Sequence, residues 1–368
     1  MAPRIVLLGA TGHTGGRVAR SLTARGARPV LAGRDAGRLT ALATELGGDG
    51  GPLQTAAADV TGSGSVRSLV GRGDVLVTTV GPFLRLGGPA LTAAVEAGAV
   101  YLDSTGEPPF VRRVFAEAGP RAERTGAALL TAFGHDYVPG TLAAALALTE
   151  AGPRAHRVDV GYALDGVRGQ AFSRGTLVSL LGVLLEPGHA FTGGRLETEP
   201  AGLHTWSFEA AGRRRRGLSV GGSEHLTLPG LAPSLREVGV HLAWFGPGAP
   251  LASLVAPATP WLARLPGAGA GAAWLADRVG GRVAEAPSER GRVRTAVVAE
   301  VRDPAGERIA RVELTGPDPY AMTADLLAWA AVRAAAGGVR GTGALGPVQA
   351  FGLDELVEGA ASAGIVRA

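Results

Sequence analysis

Residues able to do chemistry concentrate in a few stretches. The first is Gly9-Ala10-Thr11-Gly12-His13-Thr14-Gly15, which follows the apolar run Ile5 to Leu8 and precedes a helix-like pattern from Arg17. Strand, glycine turn and helix in that order make a cradle for a pyrophosphate. Glycine lets the backbone approach the anion, and free N–H groups at the helix N-terminus face it. The spacing is G-x-x-G-x-x-G, not the commoner G-x-G-x-x-G. A chain with 58 glycines in 368 residues can also form such a turn with no ligand; the order of the elements favours the cradle.

The second stretch is Pro29 to Arg34, a short strand ending in Ala32-Gly33-Arg34 with no acid before Asp35. An acid at that point binds both ribose hydroxyls of NAD, whereas an arginine pairs with a 2′-phosphate. Arg34 therefore reads as a ligand for NADP(H), with Arg38 one turn on as a helper and Asp35 as the cap of the next helix. The plainer reading is two solvated arginines. Asp59 closes a third strand, Leu53 to Ala58, where an adenine ring would lie.

Further along, Val75 to Val80 reads as a fourth strand broken by Gly81-Pro82-Phe83, so Val80, Gly81 and Pro82 are expected on the nicotinamide side. Val100 to Asp103 is a fifth strand, and Ser104-Thr105-Gly106-Glu107 leads into a helix near Pro108. Backbone from Ser104 to Gly106 would help to position the ring. Ala127 to Phe133 is a sixth strand, followed by Gly134-His135-Asp136-Tyr137-Val138-Pro139-Gly140. Hydride transfer needs a proton source within hydrogen-bond reach of the substrate. Tyr137 or His135 is the expected donor, with Asp136 and Glu107 as orienting or capping acids. Asp136 reads equally as the cap of the helix that begins near Val138.

Stepping from these residues to what must hold them, the apolar strands alternate with helical patterns, which makes a doubly wound parallel sheet the economical solution. Gly26 and Gly98 end helices, and Thr61 to Ser65 should start one. From about residue 152 the pattern changes. His156 to Ala163, His204 to Glu209, Arg214 to Val220, Arg294 to Val301 and Arg308 to Leu314 alternate like strands, with Asp303-Pro304-Ala305-Gly306 as a turn. Arg213 to Arg216 reads as a solvated hairpin turn. Ser173, Gly175 and Thr176 precede the apolar run Leu177 to Leu185 and could cap it or face a ligand. Residues 229 to 290, with Trp244, Trp261 and Trp274, read as irregular helices forming a lid or a dimer contact. Helices are expected over Tyr320 to Ala336 and Asp354 to Ala363. The fold class is thus α/β: a doubly wound Rossmann domain over 1–151 and a second α+β domain over 152–339 with a largely antiparallel sheet. Helices of about 340–368 are expected to return to the first domain.

The combination G-A-T-G-H-T-G at 9–15, V-G-P-F at 80–83, Y-L-D-S-T-G-E at 101–107 and G-H-D-Y-V-P-G at 134–140 resembles the saccharopine dehydrogenase-like oxidoreductases. Within them it is most similar to the bacterial branch that includes trans-acting enoyl reductases. The resemblance covers roughly the first 150 residues and is weaker at the C-terminus. It implies an NADP-binding Rossmann domain, a second α/β domain and hydride transfer. Where relatives often carry Phe-Asp-Ser, this chain has His135-Asp136-Tyr137, which adds two proton-transfer groups to the loop.

Composition excludes much else. With no Cys there are no disulfides, thiolate metal sites or cysteine nucleophiles. All 36 basic residues are Arg, which removes a lysine Schiff base and the Tyr-x-x-x-Lys pair of short-chain dehydrogenases. The seven histidines include no H-x-x-x-H pair, so no metal is expected. The net charge is only +4 and the arginines are scattered, which argues against nucleic acid. No apolar segment reaches the ~18–20 residues of a membrane span, and Met-Ala-Pro-Arg leaves no room for a signal peptide. The sequence reads as a cytoplasmic reductase of a hydrophobic small molecule, with a homodimer possible. The alternative is an NADP(H)-binding protein without net redox, a cofactor sensor or a scaffold for isomerisation or cyclisation.

Overall fold

The computed structural model describes residues 3–62, 64–166, 187–243 and 293–368. They form two compact units, each assembled from separate pieces of chain. The first comprises Met1–Thr105, Phe110–Val138 and Pro319–Gly364; the second comprises Gly106–Pro109, Pro139–Asp318 and Ile365–Ala368.

The first unit is a seven-stranded parallel sheet. Its strands are β1 (Ile5–Leu8), β2 (Val30–Gly33), β3 (Thr55–Ala57), β4 (Val75–Thr78), β5 (Val100–Asp103), β6 (Ala128–Leu130) and β15 (Gly343–Ala344), in the spatial order β15-β6-β5-β4-β1-β2-β3. The order reverses direction between β1 and β4, which is the switch point of the Rossmann fold. Register fixes which residues reach the carboxyl edge together: Leu8 pairs with both Ala32 and Thr78, and Thr78 pairs with Asp103. β1 and β4 are buried along their whole length because helices cover both faces, while the edge strand β3 is largely exposed.

Helix His13–Ala24 buries Gly15, Gly16, Val18, Ala19 and Leu22, a stripe at three- and four-residue spacing. Part of that stripe meets helix Pro319–Ala335, whose Asp325 Oδ1 accepts a 2.5 Å hydrogen bond from Ser21 Oγ. The helix at 319–335 therefore lies with the first unit, not with the second domain where the expected boundary at 339 would put it. Its apolar side, including Met322, Leu326 and Trp329, completes the core, and Trp329 stacks on Phe133. The helix expected from Thr61 to Ser65 is also absent: the described residues there turn, and only a single 3-10 turn follows at Arg67–Leu69. Gly62 and Gly64 disfavour a helix start at that point.

The second unit carries a mixed, mostly antiparallel sheet. Its strands are β7 (Arg157–Asp165), β8 (Pro187–Thr192), β9 (Arg195–Pro200), β10 (Thr205–Ala210), β11 (Arg213–Ser219), β12 (Glu237–Leu242), β13 (Arg294–Arg302), β14 (Arg308–Gly316) and β16 (Val366–Arg367). The main path runs β10-β11-β12-β7-β13-β14-β16, with β8 bridging β12 and β9. β12 and β7 are parallel, the one parallel pairing among these strands. Two expectations are corrected here. The arginines 213–216 do not form the hairpin turn; they lie on β11 opposite β10, and Ala211-Gly212 turns the chain. Residues 229–290 are not all irregular, since Glu237–Leu242 is a strand inside the sheet. The readings of Ser173, Gly175 and Thr176, of the run Leu177 to Leu185, and of Trp244, Trp261 and Trp274 lie outside the described residues.

Candidate active site

At the carboxyl edge of β1 to β4 the first unit has a crevice of about 750 Å³. Its floor is main chain. Gly9 sits at φ +87°, a conformation that L side chains rarely adopt, and a Cβ on it would lie 2.8 Å from Val80 Cγ2. A Cβ on Gly15 would overlap the Gly9 carbonyl oxygen. These two glycines are thus required by the turn itself. The Gly12 N–H donates to the Gly9 carbonyl at 3.0 Å and the Gly16 N–H to the Gly12 carbonyl at 2.8 Å, which pins the turn onto the helix. Gly12 is the N-cap of helix His13–Ala24 and offers no side-chain cap, and no acid occupies the first turn. The helix end therefore presents N–H groups and a positive dipole to an anion.

Seven of the expected cofactor residues line this crevice together: Gly9, Thr11, Gly12, Arg34, Asp59, Val80 and Gly81. Arg34 is exposed at the end of β2, and among the described residues no carboxylate forms an ion pair with it. Arg38, expected as a helper to Arg34, also lines the crevice, and its Nη2 donates to the Thr11 carbonyl at 2.8 Å, bracing the glycine turn. Asp35 caps helix Ala36–Gly47 by accepting the Arg38 N–H at 3.0 Å. Asp59 accepts both the N–H and the hydroxyl of Thr61, at 2.9 and 2.8 Å. The Thr61 N–H chiefly, with its hydroxyl and the nearby Arg34, holds that carboxyl below its usual range.

The other expected cofactor residues do not line the crevice. His13 lies at the exposed start of its helix with its ring edge-on to Tyr320, centroids 5.0 Å apart. Thr14 is half-buried one residue on, and Gly15 supports the turn from behind. Pro82 is the N-cap of the short helix Phe83–Leu86. Ser104 is half-buried beyond β5, and Gly106 belongs to the short piece Gly106–Pro109 of the second unit.

The candidate catalytic residues divide in the same way. Glu107 is buried in the second unit. His135, Asp136 and Tyr137 stand together in the first unit, on the loop after β6. Three strand spacings separate β6 from β1, about 14 Å across the sheet. The His135 Nδ1 and Asp136 Oδ1 atoms are 3.0 Å apart. The His135 backbone N–H donates to Thr323 Oγ1 at 3.0 Å. Tyr137 is buried, its N–H donating to the Ala132 carbonyl, and the Val138 N–H donates to the Gly134 carbonyl. Among the described residues Asp136 accepts no hydrogen bond from the following helix, so the capping role expected for it is taken over by main-chain contacts.

What holds this loop is a residue the sequence reading passed over. Asp103, fully buried at the end of β5, accepts the Thr105 N–H at 2.9 Å and the Ala132 N–H at 2.8 Å on Oδ1, and the Thr131 hydroxyl at 2.8 Å on Oδ2. It thereby ties the 104–106 turn to the 131–137 loop. Ala132 is held at φ 57°, a left-handed conformation costly for a non-glycine residue. Burial pushes the Asp103 carboxyl up to about 6 against these hydrogen bonds. Thr79 was missed too: it lines the crevice, with Oγ1 3.4 Å from the Gly9 carbonyl. A buried acid ending a strand was the available signal for Asp103; nothing local marked Thr79 or Tyr320. Among the described residues no three His, Asp or Glu side chains gather as metal ligands.

No family model matches the chain. Sequence comparison finds a protein of Mycobacterium tuberculosis, provisionally named a trans-acting enoyl reductase, 38% identical over 185 residues, which are 49% of this chain and 44% of that one. A trans-acting enoyl reductase of Mycobacterium ulcerans is 37% identical over 140 residues, 38% of this chain and 34% of that one. The chain thus matches less than half the length of these curated relatives. Among solved structures, an amine dehydrogenase from Mycobacterium smegmatis aligns over 96% of this chain and 95% of its own at 14% identity, with a TM-score of 0.47. Over the aligned stretches, the chain is similar to proteins named trans-acting enoyl reductases.

Proposed function

We propose that this chain is an NADPH-dependent oxidoreductase of the saccharopine dehydrogenase-like type that reduces an activated C=C, C=N or C=O bond in a hydrophobic, acyl or polyketide-like metabolite. The observation that carries the reading is the crevice at the β1/β4 switch point, which a glycine turn too tight for a Cβ lines together with Arg34, an arginine without an ion pair among the described residues. That donor set fits a dinucleotide with a 2′-phosphate: turn and helix N–H groups for the pyrophosphate, Arg34 for the extra phosphate, and Asp59 on the adenosine side. Homology to enoyl reductases supports the reaction class.

When bound, nicotinamide supplies the hydride. The protein's own residues have the remaining tasks. Val80, Gly81 and Pro82, with Ser104, are the residues of the first unit that would position the ring. Tyr137 or His135 supplies the proton at the substrate atom that becomes negative, and Asp136, beside the His135 ring, orients that imidazole. Glu107 is kept as a candidate orienting or capping acid. Burial of His135 and Tyr137 keeps water from the proton path.

The test is incubation of the purified chain with NADPH and a panel of 2-enoyl thioesters, enones and cyclic imines, following the loss of reduced-nicotinamide absorbance. Turnover with at least one apolar acceptor is expected, and a Tyr137→Phe, His135→Gln pair of variants then identifies the donor. Tight NADPH binding with no turnover on any acceptor favours cofactor binding without net redox. No binding of either pyridine nucleotide overturns both.

A further inference from the structure

The second unit contains a cavity of its own, about 370 Å³, lined by the hairpin β8–β9, the start of β10, strand β12 and Arg157 of β7. Its size falls at the lower end of small-molecule sites, and the function proposed above does not use it. Three buried imidazoles line it. His225 Nδ1 accepts the Gly222 N–H at 3.0 Å, and His189 Nε2 lies 3.0 Å from the Gly222 carbonyl. The His241 ring is 3% exposed, and its Nδ1 has no hydrogen-bond partner among the described residues. In the neutral imidazole with its proton on Nε2, that Nδ1 offers a buried lone pair to a donor in the cavity. A buried acceptor without a donor is costly, and this one belongs to a ring that lines a cavity.

The remaining walls specify the charge of what would fill it. Arg157 is committed to two carboxylates: Nε and Nη2 to Asp159 at 2.6 and 2.9 Å, and Nη1 to Glu237 at 2.7 Å. Glu199 meets only the exposed His204, at 3.2 Å. Burial, above all, drives the His225 and His241 pKa values down to about 3 and about 4, so both rings are neutral near pH 7. Two carboxylates, Glu199 and Glu237, therefore share the lining with one guanidinium, Arg157, which Asp159 outside the lining also engages, so the lining holds one carboxylate more than it has guanidinium groups. Trp206, stacked on Phe208 with centroids 4.7 Å apart, turns toward His241 at 5.3 Å. An indole face beside carboxylates is a favourable place for an ammonium group.

We propose that this cavity binds a small organic amine with a flat apolar body: its ammonium meets Glu199 and Glu237, its body lies against Trp206, and a hydroxyl or N–H donates to His241 Nδ1. Titration calorimetry of the full chain, without nucleotide, tests it with tyramine, its neutral alcohol analogue 4-hydroxyphenylethanol and the acid 4-hydroxyphenylacetate. Saturable tyramine binding is expected, with the alcohol at least about tenfold weaker and the acid not bound. Glu199→Gln should narrow the amine-to-alcohol ratio by about tenfold while far-ultraviolet circular dichroism stays unchanged, and His241→Phe should weaken tyramine and the alcohol alike. The idea fails if tyramine gives no saturable heat, if the acid binds as well as the amine, or if Glu199→Gln leaves the ratio untouched. Because no nucleotide is present, the outcome is independent of the NADPH reading.

Discussion

The two units each hold a cavity, and they are built from opposite materials. In the first, glycine main chain, a bare helix end and an arginine with no ion pair among the described residues make a surface ready for an anion. In the second, side chains do the work: neutral imidazoles, an indole and an excess of carboxylates make a surface suited to a cation. The lesson is that a parallel sheet offers its chemistry at strand ends through backbone, whereas a mostly antiparallel sheet offers it through the side chains of adjacent strands. The buried titrating groups follow the same division. The first unit buries an acid, Asp103, with a raised pKa, and the second buries two bases with lowered ones.

Acid sensitivity is where the contrast should be largest. His225 and His241 stay neutral in the fold but take up protons near pH 6.5 when unfolded, so the stability they contribute is present above that value and is lost as pH falls toward 4 and 3. Taking the chain from pH 7 to pH 4.5 should cost about 5 kcal/mol from the two rings together. Denaturant titrations at both pH values measure it, and His241→Gln should remove about half; a variant with the same pH slope as the parent would erase the contrast.

Asp103 runs the other way. Its carboxyl holds a proton in the fold up to about pH 6, while the unfolded chain releases it near 4, so its contribution is full below about pH 4 and declines as pH rises to 6. The difference in stability between the parent and Asp103→Asn should shift by about 3 kcal/mol across that window. Because Asp103 also holds the 131–137 loop, the same variant should lower turnover more than nucleotide affinity.

Arg34 sharpens the anion side. Arg34→Ala should weaken NADPH by about 1.5–3 kcal/mol, the size of a lost charge-assisted contact, and NADH much less. Calorimetry with both nucleotides decides it, and equal losses would remove Arg34 from any role in reading the 2′-phosphate.

Much of the first unit was legible because each device in it is local. The run Ile5 to Leu8, the glycines at 9, 12 and 15 and Arg34 at the end of β2 all carry their meaning within a few residues, and the strands fell where apolar runs stood. The bracing of the turn by Arg38 is not legible locally, because its partner, the Thr11 carbonyl, lies 27 positions away. Asp103 was passed over because its value depends on donors from the 131–133 segment. Strand β12 was invisible for another reason: Glu237-Val-Gly-Val-His-Leu242 is short, sits in a Pro- and Gly-rich region and is stabilised by parallel pairing to β7, a long-range event. The arginines of β11 were taken for a turn because charge density outweighed the alternation around them.

The return of helix Pro319–Ala335 to the first unit has a consequence for how this molecule is made. Ser21 and Asp325 bond across 304 positions, and β15 joins the sheet beside β6 only when Gly343 is available. The opening βα unit must wait on the ribosome with one helix flank bare until residues 319–344 have emerged. Gene fragments cut after residue 151 should yield sticky, aggregation-prone material instead of a free-standing nucleotide module.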